Sequence, residues 1–300
     1  PPPPPPPPLF VFFMIRRPPR SSLERSSAAS DVYKRQAHYA LDNIEGSKAL
    51  NRVAGGPSGI IHGPGQSRPG YIAGALDFDG ETYVELGDPW NIDRLSPFSY
   101  GAWVLAPDTA SGAILAKMDD ENAYRGFDLY AKDGHVEVHV IHHWPDNALH
   151  VKTKDPLEAN QWHHIFVTYD GSSRVKGVTL YIDGQSVAVD ATYDSLSGTI
   201  ATDKPLHIGR RNPSGFFTGL IDEVWVYNRQ LSHDEVAQLA SQNRVADLLA
   251  MPAPQRTPEI LERLRAYYLE NYDRQYRQLT RQLQQAREDQ AGIQKSLPTT

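Results

Sequence analysis

The chain has 300 residues, 40 % of them apolar, with 30 Lys and Arg against 36 Asp and Glu. A net charge of −6 and an isoelectric point near 6.0 give no electrostatic case for binding nucleic acid or an anionic membrane surface. Zero cysteines exclude disulfides, thiolate metal sites and a covalently attached c-type haem within the chain, while the apolar share is enough for a substantial core.

Residues 1–36 open with eight prolines followed by the apolar run Leu9–Ile15. That run is too short to span a bilayer, and its arginines follow it, the reverse of a signal peptide. An unstructured leader is expected there. Residues 37–70 are rich in Gly and Pro, with strand-like pieces at His38–Leu41 and Ser58–His62. Leu76, Phe78, Tyr83, Val84 and Leu86 predict a hairpin turning at Asp79-Gly80. In the next strand, Phe98–Leu105, alternation puts Phe98, Tyr100, Ala102 and Val104 on one face, and Ile114–Lys117 and Phe127–Ala131 are further strands. Asp133-Gly134 turns the chain into H-V-E-V-H-V-I-H-H-W.

The most regular pattern is Gln161–Gly184. Ile165, Val167 and Tyr169 alternate with His164, Phe166 and Thr168, and Val178, Leu180 and Ile182 alternate with Thr179 and Tyr181, the period of strands. Asp183-Gly184 supplies the positive-φ pair of a tight turn, and Gln185–Val189 is expected to continue the meander as a third strand. Such a meander needs a second sheet to cover its apolar face. Trp103, Trp162 and Trp225 lie within alternating strands and are expected in the core.

After Gly219, L-I-D-E-V-W-V-Y leads into a helix whose start is marked by the capping box Ser232 and Glu235, with Leu231 and Val236 as hydrophobic staple. Thr257 and Pro258 form an N-cap and first-turn pair for another helix. From Tyr272 the positions Tyr276, Leu279, Leu283, Ala286, Ile293 and Leu297 then keep a 4-3-4-3 spacing, interrupted only by Gln290. An apolar seam of that length predicts an intramolecular helical hairpin.

Three ordered motifs, A-L-D-F-D-G-E-T-Y-V-E-L, W-H-H-I-F-V-T-Y-D with L-Y-I-D-G-Q, and G-L-I-D-E-V-W-V-Y-N-R-Q-L-S-H-D-E-V, resemble the laminin-G-like and pentraxin-like branch of the concanavalin A-like lectin/glucanase jelly rolls. The resemblance implies an all-β fold, a two-sheet antiparallel jelly-roll sandwich over 37–245, in which the N-terminal strand pairs with the C-terminal one. A helical hairpin or linker over 246–300 would lead to a further domain. The tail motif T-P-x-x-x-x-x-L-R-x-Y-Y-L-E, placed after such a module, is similar to the middle of large multidomain surface proteins of planctomycetes, which carry a c-type cytochrome domain upstream. Residues 1–36 resemble translated sequencing-adapter read-through. The implied setting is a fragment of an exported protein of the cell envelope or exterior, with flanking domains as partners and no haem or membrane span in this segment.

Four groups of residues bear on function. Retaining glycosidases need two carboxyls about 5–5.5 Å apart; Asp77, Asp79 and Glu81 match the glucanase spacing, but the Asp79-Gly80 turn moves Glu81 off the strand, so no catalytic residue is expected. On the strand His135–His143, His135, Glu137, His139 and His143 point one way. H-x-E-x-H there suits zinc but lacks an evident third, distant ligand, and a polar face against water or glycan is the rival reading. Pentraxin-like relatives imply calcium held by loop oxygens, and Asp119, Asp120 and Asn122 are the candidates, while Arg210, Arg211 and Pro213 stand where most ligands of the second loop would be. Trp144 is the candidate exposed ring for sugar stacking, with Arg125, Tyr130, His139, Arg210, Arg211 and Asn212 as polar neighbours. These residues point to a non-catalytic module that recognises a glycan or surface polymer, or to a spacer docking against flanking domains.

Overall fold

The structure, a computed structural model, describes residues 35–42, 46–53, 55–87, 92–108, 110–241 and 245–296. The chain divides into Pro1–Tyr33 and Lys34–Thr300. The first unit, with most of the expected leader, lies outside the described residues.

The strands in chain order are β1 Arg35–Tyr39, β2 Lys48–Ala49, β3 Gly59–His62, β4 Gln66–Pro69, β5 Gly74–Asp79, β6 Tyr83–Glu85, β7 Phe98–Leu105, β8 Gly112–Asp119 and β9 Arg125–Lys132. There follow β10 His135–His143, β11 Asn147–Thr153, β12 Trp162–Tyr169, β13 Val178–Ile182, β14 Gln185–Ser186, β15 Val189–Asp194, β16 His207–Ile208 and β17 Thr218–Tyr227. The helices are α1 His233–Ala240, α2 Val245–Ala250, α3 Pro258–Asn271 and α4 Arg274–Ser296.

Two antiparallel sheets form the sandwich. The first runs β14-β13-β12-β7-β17-β5-β4, and β17 is long enough to pair β5 along Thr218–Ile221 and β1 along Val224–Tyr227. The N-terminal strand thus pairs with the C-terminal one, and it begins at Arg35, two residues before the expected leader boundary. The second sheet runs β15-β11-β10-β9-β8-β16-β6-β3-β2. Inward residues of both sheets interleave as one core: Phe98, Tyr100, Ala102 and Val104 of β7 meet Phe127 and Leu129 of β9 and Val136, Val138 and Val140 of β10.

The expected hairpin at Asp79-Gly80 is a crossover instead. Gly80 turns at φ +89° as expected, but β5 belongs to the first sheet and β6 to the second. The Asp183-Gly184 hairpin does form, both residues taking positive φ, 51° and 81°, with Ile182 opposite Gln185, but the third strand is only two residues long before the chain leaves for β15 on the opposite sheet. Local turn chemistry sets the reversal, whereas the identity of the sheet reached depends on which apolar face each strand must bury.

The outer face of the first sheet is closed by a second cluster. Trp103, Phe166, Tyr181 and Trp225 pack there with Leu231, Val236 and Leu239 of the α1 region. Trp162 sits half-buried at the rim of this cluster rather than inside the core. The capping box forms as read from the sequence: Ser232 accepts from the Glu235 amide while the Glu235 carboxylate accepts from the Ser232 amide. A paired Arg229 guanidinium holds the Glu235 carboxyl down at about 2.

Thr257 caps α3 as expected, accepting from the Ile260 amide. The seam, however, is not buried: Tyr276, Leu279, Leu283 and Ile293 of α4 are exposed, as are Leu261 and Tyr268 of α3. Leu297 lies outside the described residues. No helix among the described residues is long and apolar enough to cross a membrane.

Candidate functional site

Among the described residues, no helix lies over the outer face of the second sheet. Alternation along β9, β10 and β11 sends Asp128 and Tyr130, Glu137 and His139, and Ala148 and His150 outward, opposite the valines and leucines of the core. Outward Ala113, Ala116 and Met118 of β8 join Ile141 and Ala148 in a small apolar floor, on which Tyr130 and Trp144 pack.

A polar network crosses this floor. Asp128, fully buried, accepts from His139 Nδ1 at 2.8 Å and from Arg211 Nε at 2.6 Å. Burial opposes ionisation of Asp128, but the charges of Arg211 and His139 overcome it and hold the carboxyl below its ordinary value. The Arg211 guanidinium also lies 4.3 Å above the Tyr130 ring centre. On the far side of His139, Glu137 Oε2 stands 3.7 Å from His139 Nε2 and 3.5 Å from His150 Nε2. The Glu137 carboxyl is held below its ordinary value chiefly by His150, with burial acting the other way.

Rings border the network. The His139 and His150 imidazoles stack at 4.5 Å, and the Trp144 ring stands edge-on to both, at 5.3 and 5.8 Å, and to Tyr193 at 4.9 Å. Trp144 is therefore half-buried among rings, not freely exposed as expected from its loop. Further along the same sheet, Arg210 covers the Tyr83 ring at 3.5 Å and neighbours Phe216. Beneath it His207 is fully buried, and burial, aided by Arg210, depresses its imidazole to about 3.

The structure gathers Trp144, Tyr130 and His139 into one cluster. Arg210 belongs to the separate Tyr83 group, and Arg125 donates to the His142 carbonyl at 3.3 Å. Asn212 acts through its backbone: its carbonyl accepts from the Asp120 amide, stitching the β8–β9 loop to the loop after β16. Asp120 Oδ2 accepts from the Ser214 amide and hydroxyl, and Asp119 Oδ1 accepts from the Glu121 amide with Lys204 Nζ 4.0 Å away. Asn122 is held by its backbone, accepting from the Arg125 amide and donating to the Asp119 carbonyl. One carboxylate oxygen each of Asp119 and Asp120 is thus engaged in loop closure, while Asp120 Oδ1 is buried without a hydrogen-bond partner among the described residues.

His150, Tyr193 and the Arg211–Asp128 pair were not singled out from the sequence. His143 does not join the face, because a register shift between Ile141 and His143 breaks the alternation. Of the carboxylates at glucanase spacing, Asp77 pairs with Arg68, and Asp79 Oδ1 accepts from the Glu81 and Thr82 amides, a turn-forming role. A second acidic group, Asp42, Asp222 and Glu223, is bound into the β1–β17 seam, where Glu223 meets His38 at 2.5 Å and Asp42 meets Arg52. Burial, with Glu223 and Asp42 nearby, raises the Asp222 carboxyl well above its ordinary value.

Comparison with known proteins agrees with this architecture. Residues 78–237, over half of the chain, match the family model for laminin-G-like domains of the concanavalin A-like lectin/glucanases superfamily, and the chain belongs to that superfamily. It is 26 % identical over 163 residues, 51 % of its length, to adhesion G-protein coupled receptor V1 of Danio rerio, of which it spans 2 %. Among solved structures, the binding domain of Paraclostridial Mosquitocidal Protein 1 matches with a TM-score of 0.54 and 17 % identity, over 70 % of this chain and 52 % of that one. The binding domain of botulinum neurotoxin DC, solved with rat synaptotagmin II, matches with a TM-score of 0.51 and 9 % identity, over 70 % and 52 %. The chain thus spans about half the length of those solved relatives, and at such identities the likeness bears on fold.

Proposed function

We propose that this chain is a non-catalytic binding module of an exported multidomain protein, and that it recognises a glycan or surface polymer through the outer face of its second sheet. The observation that carries the reading is the cluster of half-buried Trp144, Tyr130 and Tyr193 beside the Arg211–Asp128–His139 network. Ring faces and edges supply stacking area for sugars, and fixed polar groups beside them supply orientation. The absence of catalysis is supported by Asp79, whose carboxylate is committed to backbone amides, so the glucanase spacing yields no free carboxyl pair. Superfamily membership supports the binding role, as do solved relatives titled as binding domains.

A second reading has an observation of its own. The exposed apolar seam of α3 and α4 suits docking against a flanking domain, which favours a spacer role for the tail. A glycan array run on the full chain, with and without calcium, separates the two. Saturable binding supports recognition by the module, whereas a flat array in both conditions leaves the spacer reading.

A further inference from the structure

We infer that Glu137, His139 and His150 form a binding site for a divalent transition-metal cation of the zinc class. The sequence motif H-x-E-x-H lacked a third ligand, and the fold supplies one from the neighbouring strand, since His139 and His150 face each other across the β10–β11 ladder. Their ligand atoms and that of Glu137 all lie within 4.8 Å of one another. Zinc bonds of about 2.0–2.2 Å at tetrahedral angles place ligand atoms about 3.4 Å apart. The Glu137 oxygen, at 3.7 Å from one imidazole nitrogen and 3.5 Å from the other, is already near that spacing.

The surroundings set the chemical state these ligands need. The Asp128 carboxylate, which also accepts from Arg211, lies 2.8 Å from His139 Nδ1, so a proton on Nδ1 has its acceptor there and Nε2 is the ring nitrogen turned toward Glu137. Arg211 Nη2 lies farther from the same nitrogen, at 3.4 Å, and is itself a donor, so Asp128 decides the tautomer. A carboxylate holding the second nitrogen of a histidine is the usual support of a metal-bound imidazole.

His150 is the ligand that has to reorient. Neither of its ring nitrogens makes a hydrogen bond of good geometry among the described residues, although its side chain is only 11 % exposed. Its ring stacks on His139 at an interplanar angle of 5°, so it must turn about Cβ–Cγ before both lone pairs meet one ion. That turn exchanges the stack on His139 for the bond to the ion, with no hydrogen bond of good geometry to break. Three protein ligands leave a fourth position for water or for an oxygen of a bound molecule.

The site stands independently of glycan recognition and is tested without sugar. Calorimetric titration of the chelator-treated full chain with Zn²⁺ is expected to show one saturable site. His150→Gln and Glu137→Gln should each weaken it at least about tenfold. His143→Ala, which removes an exposed histidine of the same strand, should leave it unchanged. Binding of Co²⁺ should give the visible absorption of a tetrahedral ion, lost in His150→Gln, and far-UV CD of each variant confirms that it folds. The proposal is overturned by the absence of a saturable site, or by equal affinity in the parent, His150→Gln and Glu137→Gln.

Discussion

The two sheets of this sandwich share one core but finish their outer faces in different ways. On the first, Trp103, Phe166 and Trp225 lie under the α1 region, and buried His164 sits among them with its imidazole depressed to about 4 by burial. On the second, no helix among the described residues covers the equivalent rows, and Tyr130, Trp144 and His150 remain half-buried around an ionised network. A strand pattern alone does not separate the two. What separates them is the chain that follows: Ser232, Leu231 and Val236 fix a helix over one face, and nothing comparable among the described residues reaches the other.

Substitutions on the covered face should cost the most. Trp225→Ala removes the largest fully buried side chain there and is expected to lower unfolding free energy by about 3–5 kcal/mol, read from denaturant melts. Tyr193→Ala on the open face should cost far less, and equal losses would erase the distinction between the faces.

Acid should act next. The folded chain holds His164 and His207 neutral, with values depressed to about 4 and about 3 from an ordinary 6.5. The unfolded chain therefore binds more protons below pH 6.5, and stability falls as pH drops from there toward about 4, by an amount on the order of a few kcal/mol. His163 works in the opposite sense: its hydrogen bond to Asp183 raises it, a contribution present at low pH and lost as pH rises through the raised value. Denaturant midpoints compared at about pH 7 and about pH 5 should show the net loss, and His164→Phe should reduce it. A smaller effect is expected from Ser232→Ala, about 1 kcal/mol, because one helix-end amide loses its cap.

Much of the sandwich was legible because alternation and Asp-Gly turns are local. The inward set of β7, the positive φ of Asp183 and Gly184, and the capping box all follow from neighbours within a few residues. The crossovers at Asp79-Gly80 and after β14 were not, since a turn signal does not state which sheet receives the next strand. The open face was half legible for the same reason. Glu137 and His139 follow from one strand, but His150 joins them only through the register of β10 with β11, and Tyr193 only through β15. A signal for His150 existed, because a hairpin folded about Trp144-Pro145 sets it opposite His139. The α4 seam shows the converse, a near-heptad pattern whose Tyr276, Leu279, Leu283 and Ile293 stay exposed.

The central claim is that recognition uses the open face rather than the covered one, and two half-buried tryptophans, one on each outer face, test it. Calorimetric titration with a glycan that binds on the array should show Trp144→Ala weakened by about 1–3 kcal/mol, while Trp162→Ala binds as the parent does. Loss of binding in Trp162→Ala with Trp144→Ala unchanged would contradict the account.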